Sequence, residues 1–246
     1  MNTPLNDQPD NQLLASLPPE VADVVQHRIE AVDLAAGTML YDSGCVLRHV
    51  YFPVTAVVSL VSPLQGGECT EVAMVGREGV AGVCAFMGGG TALSGALVQR
   101  SGSAWRMSAR DIADLARDVE PMRQQLLRYM QALFTHMAQT SACHRHHALA
   151  PQLCRWLLQH LDRQVGDDMR ITQERIADML GVRREGVTGA ALQLQRQGLI
   201  HYRRGHIRVL DRDKLEQHSC ECYGVVKRAY AQLRRGSSQW PHPSHA

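Results

Sequence analysis

The stretch ITQERIADMLGVRREGVT, from Ile171 to Thr188, decides how this chain is read. Thr172 has the chemistry of an N-cap, because its hydroxyl can accept from an amide one turn into a helix. Ile176, Ala177 and Leu180 follow at helical spacing and predict a buried stripe. Gly181 stands where a helix ends in a left-handed residue, and Val182 is placed to plug the turn. A second helix is predicted from about Arg183 to Gln197, with Val187, Ala190, Ala191 and Leu194 on its inner side. Arg183, Arg184, Glu185 and Thr188 are then left outward at its start. This is the layout of a helix-turn-helix, which sets the start of its second helix in the DNA major groove. There an arginine can bond bidentately to guanine O6 and N7, and a glutamate can accept from cytosine N4.

Outward from that segment, Gly198 stops the helix. Leu199 to Tyr202 and His206 to Leu210 read as two strands around the basic turn Arg203-Arg204-Gly205. A hairpin directly behind a recognition helix is a wing, whose tip can touch phosphate. On this reading Arg184 and Glu185 contact base edges. Arg183, Arg203, Arg204 and Arg208 meet phosphate, with Thr172 and Gln173 near the backbone at the first helix.

At this point the chain resembles the Crp/Fnr family of bacterial regulators, through ITQERIADMLGVRREGVTGAALQLQRQGLI and the wing RRGHIRVLDRDKL. The resemblance implies a winged helix-turn-helix behind a β-roll sensor of the cyclic-nucleotide-binding kind. It also implies a dimer that reads a palindromic promoter site, with RNA polymerase as a partner. The family opens its recognition helix with an Arg-Glu pair, here Arg184-Glu185. It often has a further arginine where this chain has Gly189, and a small hydroxyl residue where this chain has Arg183. A target differing from the family's best-known half-site is therefore expected.

Composition agrees with two domains of opposite charge. Residues 1–150 hold 10 Lys/Arg against 14 Asp/Glu, a net of −4, and residues 151–246 hold 16 against 10, a net of +6. An acidic first part joined to a basic last part suits a sensor carrying a nucleic-acid-binding module. The first ten residues carry no positive charge, and no apolar run approaches the roughly 20 residues that cross a bilayer. Seven cysteines without framework spacing read as reduced thiols. A cytoplasmic bacterial protein without membrane contact is expected. Residues 1–11 and 236–246 are polar or Pro/Ser/His-rich and are expected to be disordered.

Between Val32 and Met107 the chain reads as short strands parted by turn signals. Examples are Thr38 to Tyr41, His49 to Phe52, Ala56 to Val61 and Thr70 to Val75. A helical lead-in from Leu13 to Ile29, broken at Pro18-Pro19, precedes them. The fold class expected is α+β. An antiparallel β-roll occupies 12–118, a long dimerisation helix 119–147 and the winged domain 148–235, with a tail over 236–246. The glycines of Gly76-x-x-Gly79-x-x-Gly82 lack the spacing and βαβ context of a phosphate cradle and read as turns of the roll. In cyclic-AMP-binding relatives a Gly-Glu pair and an Arg-Ser or Arg-Thr pair hold the ligand. The matching positions here are Gly82-Val83 and the Thr91 to Ser94 stretch, with no arginine between Arg77 and Arg100. An effector pocket, if built on the family plan, would use Gly82, Val83, Thr91, Ser94, Thr140 and Ser141. Cyclic AMP is not the expected ligand, since a buried phosphate needs a cation or a full set of donors.

Leu126, Leu133 and Thr140, with Met130, Met137 and His144, fit a seven-residue repeat and predict a coiled-coil seam. Leu126, Met130, Leu133 and Met137 are the expected dimer interface. Ala148 to Arg163 should open the DNA-binding domain, and a final helix should run from Asp211 to about Leu233. Cys143, His144 and His147 share a helix face, and Cys220-Glu221-Cys222 lies near His218. Each group alone falls short of the roughly four converging ligands zinc needs, so no metal is expected. No cysteine precedes Cys45, which speaks against an iron–sulfur cluster of the family's N-terminal type, and haem ligation by a histidine such as His49 has no support. No nucleophile elbow, HExxH or phosphate loop is present, so catalysis is not expected. The competing class is an effector-binding interaction protein with a degenerate DNA-binding domain, which affinity for DNA would separate.

Overall fold

The computed structural model describes residues 11–164 and 166–233. The expected disorder at the two ends falls outside these residues except at Asn11, which is buried and ordered by its contacts. The Asn11 side chain accepts from the amides of Leu13 and Leu14, and its Nδ2 donates to the carbonyls of Pro53 and Gly79, both at 2.9 Å. It thereby caps α1 (Gln12–Ala15) and ties it to the sheet. The lead-in breaks at the prolines, and α2 (Pro19–Gln26) begins with Pro19 in its first turn, where a missing N–H costs nothing.

Seven strands follow: β1 (Ile29–Leu34), β2 (Met39–Tyr41), β3 (His49–Pro53), β4 (Val57–Pro63), β5 (Cys69–Val75), β6 (Gly95–Arg100) and β7 (Gly102–Ser108). They form two antiparallel sheets, ordered β1-β7-β3 and β2-β6-β4-β5. Val50, Phe52, Val58, Ala73, Val98 and Met107 fill the core they share. The strand named Ile29–Leu34 replaces the end of the expected helical lead-in. Helices α3 (Ala109–Asp118), α4 (Glu120–His146) and α5 (Leu149–Arg163) come next, then β8 (Asp168–Arg170), α6 (Gln173–Leu180), α7 (Arg184–Arg196), β9 (Ile200–Arg203), β10 (His206–Val209), α8 (Arg212–His218) and α9 (Glu221–Leu233). The class is α+β, with an antiparallel β-roll, a long helix and a winged helical domain in that order.

Helix α4 is held by one face. Met122, Leu126, Tyr129 and Leu133 are buried in the core of the roll, and α9 lies along the same helix. Tyr129 donates to the Val80 carbonyl at 3.0 Å. Its ring approaches Gly79 so closely that a Cβ there would fall 2.2 Å from Tyr129 Cε2. Gly79 is thus required by helix–strand contact, and Gly76 sits equally tight against the Arg163 side chain. The glycine run is a packing surface for α4 and α5 as well as a turn.

A second core joins the winged domain to the outer face of the roll. Val57, Val61, Met74 and Leu97 from the sheet meet Leu153, Trp156, Leu157 and Leu161 of α5 and the inner residues of α6 and α7. Two polar links cross the same boundary. Arg163 Nε donates to Glu78 Oε1 at 2.6 Å, and Trp156 Nε1 donates to Glu71 Oε1 at 3.0 Å. Glu71 also receives the Ser59 hydroxyl. Complete burial nevertheless pushes its pKa up to about 7.

The folded chain therefore keeps the Glu71 proton up to about pH 7, whereas the unfolded chain releases it near 4.5. Stability must fall as pH rises through that window and level off above it. Glu71→Gln mimics the protonated form and should remove this slope. It should gain up to roughly 3 kcal/mol over wild type at about pH 8 and little at about pH 5. Urea unfolding at both pH values reads the difference, and equal effects at the two would disprove it.

Candidate nucleic-acid interface

The helix-turn-helix is built by three local devices. Thr172 caps α6, its hydroxyl accepting from the Arg175 amide at 3.2 Å. Gly181 is left-handed (φ 63°, ψ 37°), and the Val182 amide closes the turn on the Ala177 carbonyl at 3.0 Å. Val182 is half-buried against the second core. Helix α7 then starts at Arg183 without any side-chain cap, so its first amides are not claimed by a side chain of the described residues.

Arg183, Arg184 and Glu185 are exposed at that start, as expected, and Gly189 follows one turn on. Thr188 has a different task from the one its position suggested. Its hydroxyl donates to Gln173 Oε1 at 2.7 Å, which braces α7 against α6. Gln173 and Thr188 therefore use their best polar atoms on each other, while Thr172 stays exposed.

The wing is a three-stranded antiparallel sheet, ordered β8-β10-β9. Ile200, Ile207 and Val209 point into the core. The outer positions are Arg170 paired with His206, His206 with Arg203, and Arg208 with His201 and Asp168. Arg204 and Gly205 form the two-residue tip, at φ 46° and 78°. Two successive positive φ values are what a tight hairpin turn matched to strand twist requires. Asp168, His201, Arg203, Arg204, His206 and Arg208 surround a shallow depression. Among the described residues none of Arg170, Arg183, Arg184, Arg203, Arg204 or Arg208 pairs with a carboxylate, although Arg106, Arg117, Arg163 and Arg212 all do. Arginines that no carboxylate neutralises suit a phosphate backbone. Arg170 escaped the sequence reading because β8 has three residues, with Met169 alone marking its buried side.

The positions matched to an effector pocket fall into two groups, one on the roll and one on α4. Gly82 and Val83 lie beside a small apolar cluster of Leu47, Cys84 and Ala92 with Tyr41, Cys45 and Ala85. Thr91 is exposed and Ser94 half-exposed at the same end of the roll. Thr140 is buried at the far end of α4, where Arg155 Nη1 donates to its hydroxyl at 3.1 Å, and Ser141 is exposed beside it.

The expected dimer seam needs correction. Leu126 and Leu133 are 1% and 2% exposed because their own roll covers them. The adjacent stripe is the open one, with Leu127 at 57% and Phe134 at 52%. Met130 and Met137 are half-buried between the two stripes. The cysteines and histidines also group differently from the sequence reading. Cys143 and His147 at the end of α4 meet Cys220 and Cys222, where the expected single last helix is broken into α8 and α9. His144 and His218 are not part of this group.

Residues 151–218 match the Crp-like helix-turn-helix domain family, so this part of the chain is such a domain. No curated protein matches the chain in sequence. Solved structures share its fold. FixK2 of Bradyrhizobium japonicum superposes with a TM-score of 0.65 at 19% identity, over 78% of this chain and 98% of that one. A transcriptional regulator of the Crp/Fnr family from Eubacterium rectale gives 0.65 at 17%, over 84% and 96%. The Crp-family regulator TTHB099 of Thermus thermophilus gives 0.63 at 22%, over 76% and 96%. The likeness to these structures is one of fold.

Gly189 lies in the interior of α7, and a Cβ there would meet nothing within 4 Å. Gly189→Ala should stabilise the fold by roughly 0.5–1 kcal/mol, because alanine loses less backbone freedom in a helix. A lowered urea midpoint would show that the position is crowded after all.

Proposed function

We infer that this chain is a DNA-binding transcriptional regulator of the Crp/Fnr type, acting as a homodimer on palindromic promoter sites. The observation that carries this is the open start of α7, with Arg184 and Glu185 exposed beside a wing whose arginines are unpaired. Arg184 and Glu185 reach base edges. Arg183, Arg203, Arg204, Arg208 and the newly found Arg170 meet phosphate. Thr188 and Gln173 hold the helix pair at a fixed angle, and Thr172 lies near the backbone. No helix of the described residues is long and apolar enough to cross a membrane. On this reading the chain works on cytoplasmic DNA, with RNA polymerase as a further partner and no catalysis of its own. The apolar cluster beside Gly82 and Val83 gives a cyclic phosphate no cation, which favours a signal other than cyclic AMP.

Arg184→Ala should cost roughly 1–3 kcal/mol and relax preference at one base pair per half-site. Arg204→Ala should weaken all sequences alike and lower the salt slope by about one. Titration of operator variants at several salt concentrations separates the two. If Arg184→Ala weakens every sequence equally, Arg184 is a phosphate clamp and the readout is mistaken.

The dimer forms through the outward stripe of α4, with Leu127 and Phe134 central and Met130 and Met137 flanking. Phe134→Asp should give folded monomers, whereas Leu133→Asp should unfold the chain by burying an unpaired charge. Sedimentation with circular dichroism distinguishes these outcomes. A dimer that survives Phe134→Asp would place the interface elsewhere.

A further inference from the structure

Cys143, His147, Cys220 and Cys222 come from two places far apart in sequence and meet where α4 ends. Each can offer one ligand atom, and those four atoms all lie within 4.8 Å of one another. Cys143 Sγ is 3.4 Å from Cys220 Sγ, and Cys222 Sγ is 3.6 Å from His147 Nδ1. A tetrahedron around zinc, with zinc–sulfur bonds of about 2.3 Å, has edges of about 3.8 Å. The cluster is close to that size before any ion draws it in. Cys143, Cys220 and Cys222 are buried and His147 is half-exposed, so the site is nearly closed.

The surroundings match those of a ligand set. His147 turns Nδ1 toward the thiols, and its other nitrogen, Nε2, lies 3.2 Å from Glu221 Oε2. A carboxylate on the far nitrogen is the usual orienting partner of a metal-bound histidine. Gln139 Nε2 donates to Cys222 Sγ at 3.2 Å, and Gln152 Nε2 donates to the His147 carbonyl at 2.7 Å. Three thiolates around a divalent ion leave one negative charge in excess. Arg155 is buried one helical turn away at Thr140, and no carboxylate among the described residues pairs with it. Its Nε has no hydrogen-bond partner. A nearly closed Cys3His set matches a structural zinc site rather than a catalytic one.

We propose that Cys143, His147, Cys220 and Cys222 bind one zinc ion, which fastens the end of α4 to the start of α9. The ion would bridge the hinge at Ala148, between the long helix and the winged domain. This does not depend on the chain binding DNA.

The test uses the full chain purified under reducing conditions. Elemental analysis should find about one zinc per chain. Cobalt(II) replacing it should give thiolate charge-transfer bands and the intense visible bands of a tetrahedral site. Cys220→Ser and Cys222→Ser should lose both signals, while Cys45→Ser and Cys69→Ser, outside the cluster, should keep them. Glu221→Gln, a change on the surface, should weaken zinc retention against a chelator by roughly 10–100-fold. Wild-type protein that takes up no zinc and gives no tetrahedral cobalt spectrum overturns the proposal, whatever the variants do. So does a Cys143–Cys220 disulfide that persists under reduction. Unchanged retention in Glu221→Gln removes His147 from the set and the proposal with it.

Discussion

Everything in this chain is hung on one face of α4. Tyr129, Leu126 and Leu133 lock that face into the roll, and the tight approach of the Tyr129 ring to Gly79 fixes the depth. Helix α9, the last of the winged domain, lies along the same helix, with Tyr230 OH 3.3 Å from His136 Nδ1. One helix therefore sets the place of the roll and of the winged domain together. What it leaves outward is a narrow apolar stripe, too small for a core of its own and well shaped for a second copy.

The winged domain is not a loose appendage. Helix α5 is buried nearly all round, between the sheet on one side and α7 and α8 on the other. Burying it brought polar groups along, and two of them, on Trp156 and Arg163, find partners across the boundary in Glu71 and Glu78. Such contacts hold the two domains in register, and one of them, Glu71, is sensitive to protonation near neutrality.

The helix-turn-helix was legible because its signals are local. A hydroxyl cap at Thr172, a left-handed glycine at 181 and three- and four-residue apolar spacing each act within a few residues. The wing strands β9 and β10 were legible for the same reason. The open stripe of α4 was misread because a seven-residue repeat gives a period and not a phase. Leu126 with Leu133 and Leu127 with Phe134 are neighbouring stripes of equal spacing, and only packing against the roll decides which stays open. The cysteine cluster was half visible: Cys143 and His147 are one turn apart, but Cys220 joins them from 77 residues away, through a helix break that periodicity did not show. Glu71 gave no sign at all, since a carboxylate in an alternating strand reads as solvent-facing until another domain covers it.

The brace between Thr188 and Gln173 carries a consequence for how such proteins diverge. The angle between α6 and α7 is set by residues that do not face outward, and the outward ones make no contact on which the fold relies. If Arg184 and Glu185 read bases as proposed, binding preference can drift there and at Gly189 while the scaffold remains constant. A new set of target sites would then need only a few surface exchanges, without the loss of folding that usually punishes change in a packed helix pair.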